Sequence, residues 1–127
     1  MKKTLSKYLI VSLILTFSTA CAKHNNIQIG KGSWYGKKFQ GKRTASGEKY
    51  NMYAYTAAHK TLPFNTMVEV TNLSNNRKVI VRINDRGPYA RGRIIDLSYL
   101  AAKKLGYVNK GVAKLKLKVL YRQKKSR

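Results

Sequence analysis

The sequence predicts a mainly β domain closed into one small barrel. Three observations predict it. Period-2 patterns of apolar and polar residues recur between positions 67 and 120, a polar turn links two of them as a hairpin, and only one segment carries the start and stop signals of a helix. Gly32-Ser33-Trp34-Tyr35-Gly36 is a short aromatic strand between glycines. Gly36 to Tyr55 is rich in glycine and polar residues and is expected to be a long loop, a feature often tied to function in a small domain. Met67 to Thr71 and Lys78 to Ile83 alternate, and Asn72 to Arg77 between them tolerates left-handed backbone, which makes a β-hairpin. Ser98 caps a helix that Leu100, Ala101 and Ala102 continue and Leu105-Gly106 ends. Lys114 to Leu120 is a last period-2 strand. Many short strands with one short helix favour closure, because closure removes exposed strand edges.

The chain has 127 residues, enough for one domain. Its first twenty residues have a different character. Lys2, Lys3 and Lys7 precede a nearly unbroken apolar run from Tyr8 to Phe17, and Ser18-Thr19-Ala20-Cys21 follows. That is the layout of a secretory signal peptide, and the run is too short for a membrane span of roughly 20 apolar residues. Cys21 is the single cysteine, so an internal disulfide is excluded. Small residues followed by cysteine resemble a bacterial lipobox, although Ser18 stands where leucine is usual. The expected organisation is a leader over 1–20, a tether lipidated at Cys21 over 21–27, a domain over 28–121 and a basic tail over 122–127. Ala22, in place of aspartate, resembles the pattern that sorts such lipoproteins to the outer membrane, facing the periplasm.

The charge is extreme: 27 Lys and Arg against four acids give +23. Losing the leader removes three lysines and leaves +20. Such a field favours polyanions. Nucleic acid is the first thought from charge alone, and export argues against it. The exported polyanions are phospholipid and lipopolysaccharide surfaces and the carboxylates of peptidoglycan. Lys114, Lys116 and Lys118, alternating with Leu115, Leu117 and Val119, are expected to form a solvated face.

Acid–base chemistry can draw on only Glu48, Glu69, Asp85, Asp96, His24 and His59. Glu69 alternates with valines on the wet side of a strand, and His24 lies in the tether. Asp85 follows a strand in Asn84-Asp85-Arg86-Gly87-Pro88, where ordinary turn chemistry competes with a catalytic role. If Arg82 and Arg86 contact it, they hold it ionised. Asp96 has apolar neighbours in Ile94-Ile95-Asp96-Leu97-Ser98. Burial there would raise its pKa and suit proton donation, while a role at the helix start is the competing reading. Glu48 and His59 are individually ambiguous. No HExxH, phosphate loop or nucleophile elbow is present, and neither a metal nor another cofactor is expected. Trp34, Tyr35, Phe39, Tyr50, Tyr53 and Tyr55 cluster around the glycine-rich loop, and aromatic faces suit the C–H faces of sugars.

These segments occur in a recognisable order: Gly32 to Gly36, Thr44-Ala45-Ser46-Gly47-Glu48, Thr56-Ala57-Ala58-His59 with Thr61-Leu62-Pro63, Val70 to Leu73, Asn84 to Pro88, Ile95 to Ser98, and Ala101-Ala102 with Leu105-Gly106. Together, over residues 30–120, they resemble the rare lipoprotein A family. The resemblance implies a six-stranded double-psi β-barrel with one or two short helices. It implies endolytic cleavage of peptidoglycan between N-acetylmuramic acid and N-acetylglucosamine to a 1,6-anhydro end, preferably on glycan stripped of stem peptides, near the division septum and its proteins. Position by position it marks Glu48, His59 and Asp85 as groove residues associated with activity, and Asp96 as the acid/base of related barrels. Trp34, Tyr35, Thr44, Thr56, Asn84 and Arg86 are the expected substrate contacts. Larger members carry a C-terminal repeat that binds denuded glycan. The sequence here shows none, which leaves septal targeting open, and the positive charge is an alternative means of holding the domain to anionic wall or membrane. Two other readings stand beside the enzyme: an expansin-like wall-binding protein that needs no proton transfer, and a basic lipid-anchored adaptor.

Overall fold

A computed structural model describes residues 26–124. The leader, the tether residues 21–25 with Cys21 and His24, and the last three residues of the tail lie outside the described residues.

Six strands and one α-helix follow in order: β1 (Ile27–Trp34), β2 (Thr56–His59), β3 (Thr66–Asn72), β4 (Lys78–Asp85), β5 (Arg93–Leu97), α1 (Tyr99–Leu105) and β6 (Val112–Arg122). The strands close in the order β1-β5-β2-β4-β3-β6. β1·β5 and β2·β4 are parallel, and the other four pairings are antiparallel. Closure leaves no unpaired edge.

Alternation sets the inside. Val68 and Val70 of β3, Val79, Val81 and Ile83 of β4, Ile95 and Leu97 of β5 and Leu115 and Leu117 of β6 fill the core. Ala101, Ala102 and Leu105 of α1 join them, and Tyr107 donates from inside the core to the Ser33 carbonyl at 3.0 Å. α1 begins where Ser98 Oγ accepts from Ala101 N, and ends at Gly106 with φ +77°, a left-handed conformation that suits glycine. The β3–β4 hairpin pairs Met67 with Arg82 through Thr71 with Lys78, as the alternation predicts.

Two strands escape the sequence pattern. β2 is buried along its whole length, on its outer face as well as its core face, so it does not alternate. β5 supplies Asp96 from within a strand, three residues before α1 begins, and not from the helix start. β1 is also longer than the aromatic segment that announces it. It starts at Ile27, and β6 runs to Arg122, where Gln123 N still donates to Asn65 O at 2.9 Å.

Candidate active site

The register brings two of the four acids into one row. Ser33 on β1 pairs with Asp96 on β5, Asp96 pairs with Ala58 on β2, and Ala58 pairs with Asp85 on β4. Neighbouring strands lie ~4.8 Å apart, so the two aspartates straddle one strand, about 10 Å apart at the backbone. Ala58, the small buried residue between them, keeps the intervening strand from filling that space.

Both aspartates open into a cleft of about 590 Å³. Trp34, Tyr35, Phe39 and Tyr89 supply its aromatic walls, and Lys42, Arg43, Arg86 and Arg93 its positive charge. Tyr35 packs on Tyr50 and Phe39, with ring centroids 4.8 and 5.7 Å apart. Trp34 packs on Tyr99 at 5.5 Å and donates to the Val108 carbonyl at 3.2 Å, so its plane is fixed. Tyr89 is almost fully exposed at the rim. Tyr50 is buried beneath, and Tyr53 and Tyr55 face solvent elsewhere, so the aromatic cluster divides into wall, support and surface.

The two carboxylates are held differently. Asp85 accepts three hydrogen bonds, from Ala45 N and Arg86 N on Oδ1, both at 2.8 Å, and from Tyr35 Oη on Oδ2 at 2.7 Å. Burial and the Asp85 carboxylate push the Tyr35 phenol well above its ordinary pKa, so it remains a donor. Asp96 accepts from Ser33 Oγ on Oδ1, with Arg93 Nη1 at 4.0 Å from the same oxygen and 2.7 Å from Ser33 Oγ. Its Oδ2 has no hydrogen bond among the described residues, and the side chain is only 16% exposed.

The arginines expected beside Asp85 are engaged elsewhere. Arg82 grips Glu48 in a two-pronged ion pair, Nη1 to Oε1 at 2.6 Å and Nη2 to Oε2 at 2.8 Å. The Arg86 guanidinium donates to the carbonyls of Leu62 at 2.8 Å and His59 at 3.3 Å and lies over the Phe64 ring at 4.1 Å. Only the backbone N–H of Arg86 reaches Asp85.

Glu48 and His59 are not among the cleft-lining residues. Glu48 also accepts from Asn84 Nδ2 at 3.2 Å, and Arg82 holds its carboxyl below the ordinary range. This ties the loop around Thr44–Glu48 to β4 and delivers Ala45 N to Asp85. His59 is buried. Its Nδ1 accepts from Thr61 N at 3.1 Å and Leu62 N at 3.0 Å, so Nε2 carries the proton and donates to Gln28 Oε1 at 2.9 Å. Burial, with Arg86 and Lys60 nearby, lowers its pKa, so the neutral form is favoured. Of the expected contacts, Trp34, Tyr35 and Arg86 line the cleft. Thr44, Thr56 and Asn84 are buried outside it. Ser33, Arg93 and Tyr89 line it without a clear sequence signal. Arg93 could have been found as the cation three residues before Asp96. Among the described residues, no three of His, Cys, Asp and Glu gather as a metal-binding group.

A family model described as lytic transglycolase matches residues 27–117, which is the barrel from its first strand into its last. The chain belongs to this family. The fold is its double-psi β-barrel, as the resemblance implies. Relatives include a probable endolytic peptidoglycan transglycosylase RlpA of Aquifex aeolicus, 59% identical over 72% of this chain and 40% of that protein. The endolytic peptidoglycan transglycosylase RlpA of Pseudomonas aeruginosa is 58% identical over 70% of this chain and 26% of its own length. The chain thus matches two fifths or less of these relatives. Among solved structures, a Streptomyces papain inhibitor superposes with a TM-score of 0.61 at 25% identity, over 75% of this chain and 94% of the inhibitor. An expansin of Clavibacter michiganensis, solved with cellohexaose, also gives 0.61, at 15% identity over 79% of this chain and 53% of the expansin, and so shares the fold alone.

Proposed function

We propose that this barrel is an endolytic peptidoglycan transglycosylase that cuts the bond between N-acetylmuramic acid and N-acetylglucosamine and leaves a 1,6-anhydro end. The observation that carries the reading is the Asp85–Ala58–Asp96 row opening into an aromatic cleft. The family and the names of its relatives agree with it.

In this reading Asp96 carries the proton. Its Oδ2 is the carboxylate oxygen left open in the cleft, whereas both oxygens of Asp85 are occupied. Protonated Asp96 gives its proton to the glycosidic oxygen as the bond from C1 of the muramic sugar breaks. The carboxylate so formed takes the proton of the muramic 6-hydroxyl as O6 bonds to C1. One proton returns to Asp96, and no water is consumed. Asp85, fixed by three donors, faces the oxocarbenium-like charge that develops at C1. Glu48 and His59 act as positioning residues: one pins the loop that reaches Asp85, the other shapes the turn that Arg86 grips. Lys42 and Arg43 at the cleft wall suit the free lactyl carboxylate of glycan stripped of stem peptide.

The same proposal places the protein in the cell envelope. The sequence layout supports export by a signal peptide over 1–20, palmitate-type lipidation at Cys21 and an outer-membrane anchor facing the periplasm; cell-division proteins enter as partners only through the family resemblance. Replacing Cys21 with Ser is expected to turn membrane retention that resists high salt into retention that high salt releases.

The test is digestion of purified sacculi by wild type, Asp85→Asn and Asp96→Asn, with products read by mass spectrometry. Wild type is expected to release anhydro-muropeptides. Asp96→Asn should lower the rate by about 10³-fold, within the range for loss of a general acid–base. Asp85→Asn should lower it by roughly 10²-fold, as for loss of one electrostatic partner. Intact glycan retained by wild type would overturn the enzyme in favour of an expansin-like binder.

A further inference from the structure

The outer face formed by β1, β6, β3 and β4 carries a pattern the cleft does not use. Pairing aligns Ile27, Lys118, Glu69 and Ile80 in one row across the four strands. The next row is Ile29, Lys116, Thr71 and Lys78, and a third pairs Lys31 with Lys114. Five lysines therefore stand among three isoleucines that are each 44–55% exposed. Like charges directly opposite each other on a sheet are destabilising, and Lys31 and Lys114 are opposed in this way. Glu69, the sole acid in these rows, is already within 3.8 Å of Lys78. Beside them lies a cavity of about 580 Å³, bordered by Lys31, Lys110 and Lys114 and by the polar Ser74 and Asn75.

We propose that this face docks on an anionic phospholipid surface, with a phosphate headgroup seated among Lys31, Lys110 and Lys114. Lysines interleaved with exposed isoleucines match the two components of such a surface, charged headgroups and the apolar boundary just beneath them. A soluble polyanion would match the lysines alone. Chain geometry agrees. Ile27 lies six residues after Cys21 and ten after the apolar run ends at Phe17. At ~3.3–3.6 Å per residue, an anchor at Cys21 leaves Ile27 at most about 20 Å from the bilayer. Ser33, at the cleft, is six residues further along β1, about 20 Å from Ile27. The cleft therefore lies beyond the Lys31 end of the face, and the Ile27 end lies nearest the tether. The inference stands apart from the cleft's chemistry and holds whether or not the cleft cuts glycan.

The test uses the full chain carrying Cys21→Ser, so that no lipid can be attached, and co-sedimentation with vesicles. One set is phosphatidylcholine alone and the other phosphatidylcholine mixed with phosphatidylglycerol. The N-terminal segment is the same in every sample, so differences report the face. Wild type is expected to prefer the anionic vesicles, with the preference fading at high salt. Lys114→Gln/Lys116→Gln/Lys118→Gln should weaken anionic-vesicle binding roughly a hundred-fold, and each single variant about five-fold. The single variants serve if the triple variant does not fold. Lys37→Gln/Lys38→Gln/Lys49→Gln removes equal charge elsewhere and is expected to retain the binding. Equal loss in both triple variants would reduce the face to net charge and overturn the proposal. So would equal binding to both vesicle types, or dependence on these lysines seen with isolated sacculi and absent with vesicles.

Discussion

Asp85 and Tyr35 act as a pair: the phenol donates to Oδ2 and the backbone of Ala45 and Arg86 to Oδ1. Tyr35→Phe removes one donor and keeps the ring packed on Tyr50. Sacculus digestion is expected to slow about ten-fold, the effect of losing roughly 1.4 kcal/mol from a hydrogen bond to a charged group, with little change in melting temperature. His59 shows why a titratable residue in a suggestive motif need not face a cleft. Its ring nitrogens are both occupied, by a turn and by Gln28. Its folded pKa is depressed below the ordinary 6.5, so the unfolded chain binds more protons in that range. The stability contribution is thus complete above about pH 6.5 and is lost as pH falls through and below it. Urea midpoints measured between pH 7 and pH 5 are expected to fall. His59→Asn, whose side-chain oxygen can accept in place of Nδ1, should flatten that slope. Glu48, held low by Arg82, adds its own loss only as pH falls below about 4.5. The short list of acids and histidines was legible in the sequence, because four acids leave few alternatives. Which of them faced the cleft was not, since that depends on which strands the register sets side by side.

Helix α1 was legible to its ends because capping is local: Ser98 Oγ accepts from Ala101 N within one turn, and Gly106 accepts the left-handed backbone. Ser98 also donates to the Ala54 carbonyl. Ser98→Ala is expected to cost about 1 kcal/mol and lower the melting temperature by roughly 4–8 °C, followed by circular dichroism. Strand β1 has a tighter constraint. A Cβ at Gly32 would overlap Leu115 and stand 2.9 Å from Ile95 Cγ2. Gly32→Val overpacks that point, with an expected cost of about 1–3 kcal/mol, and its urea midpoint should drop with no change in slope. The hairpin of β3 and β4 was legible from alternation and its polar turn. β2 was not, because a strand buried on both faces loses the period that marks it.

Across the whole barrel, strand order does what no single motif does. It seats β2 between β4 and β5 and so places two aspartates eleven positions apart in sequence on either side of one alanine. The same closure gathers lysines from β1, β4 and β6 on one face, which changes the meaning of the solvated lysine column read from β6 alone. A net charge of +23 makes the molecule's encounters with anionic wall and membrane electrostatic. Retention on isolated sacculi, measured by sedimentation, is expected to fall steeply between about 0.1 M and 1 M salt, as the screening length shrinks from about 10 Å to about 3 Å.

Local chemistry carried the fold class, the hairpin, the helix with both caps, the shortage of acids and the excess of lysine, because each depends on neighbours in the chain. Register and closure assigned the rest. They separated Asp85 and Asp96, in the cleft, from Glu48 and His59, behind it, and they turned scattered lysines into one surface. Pairing partners are tens of residues apart, and a strand's side chains change face with every residue, so no local pattern encodes which of them meet.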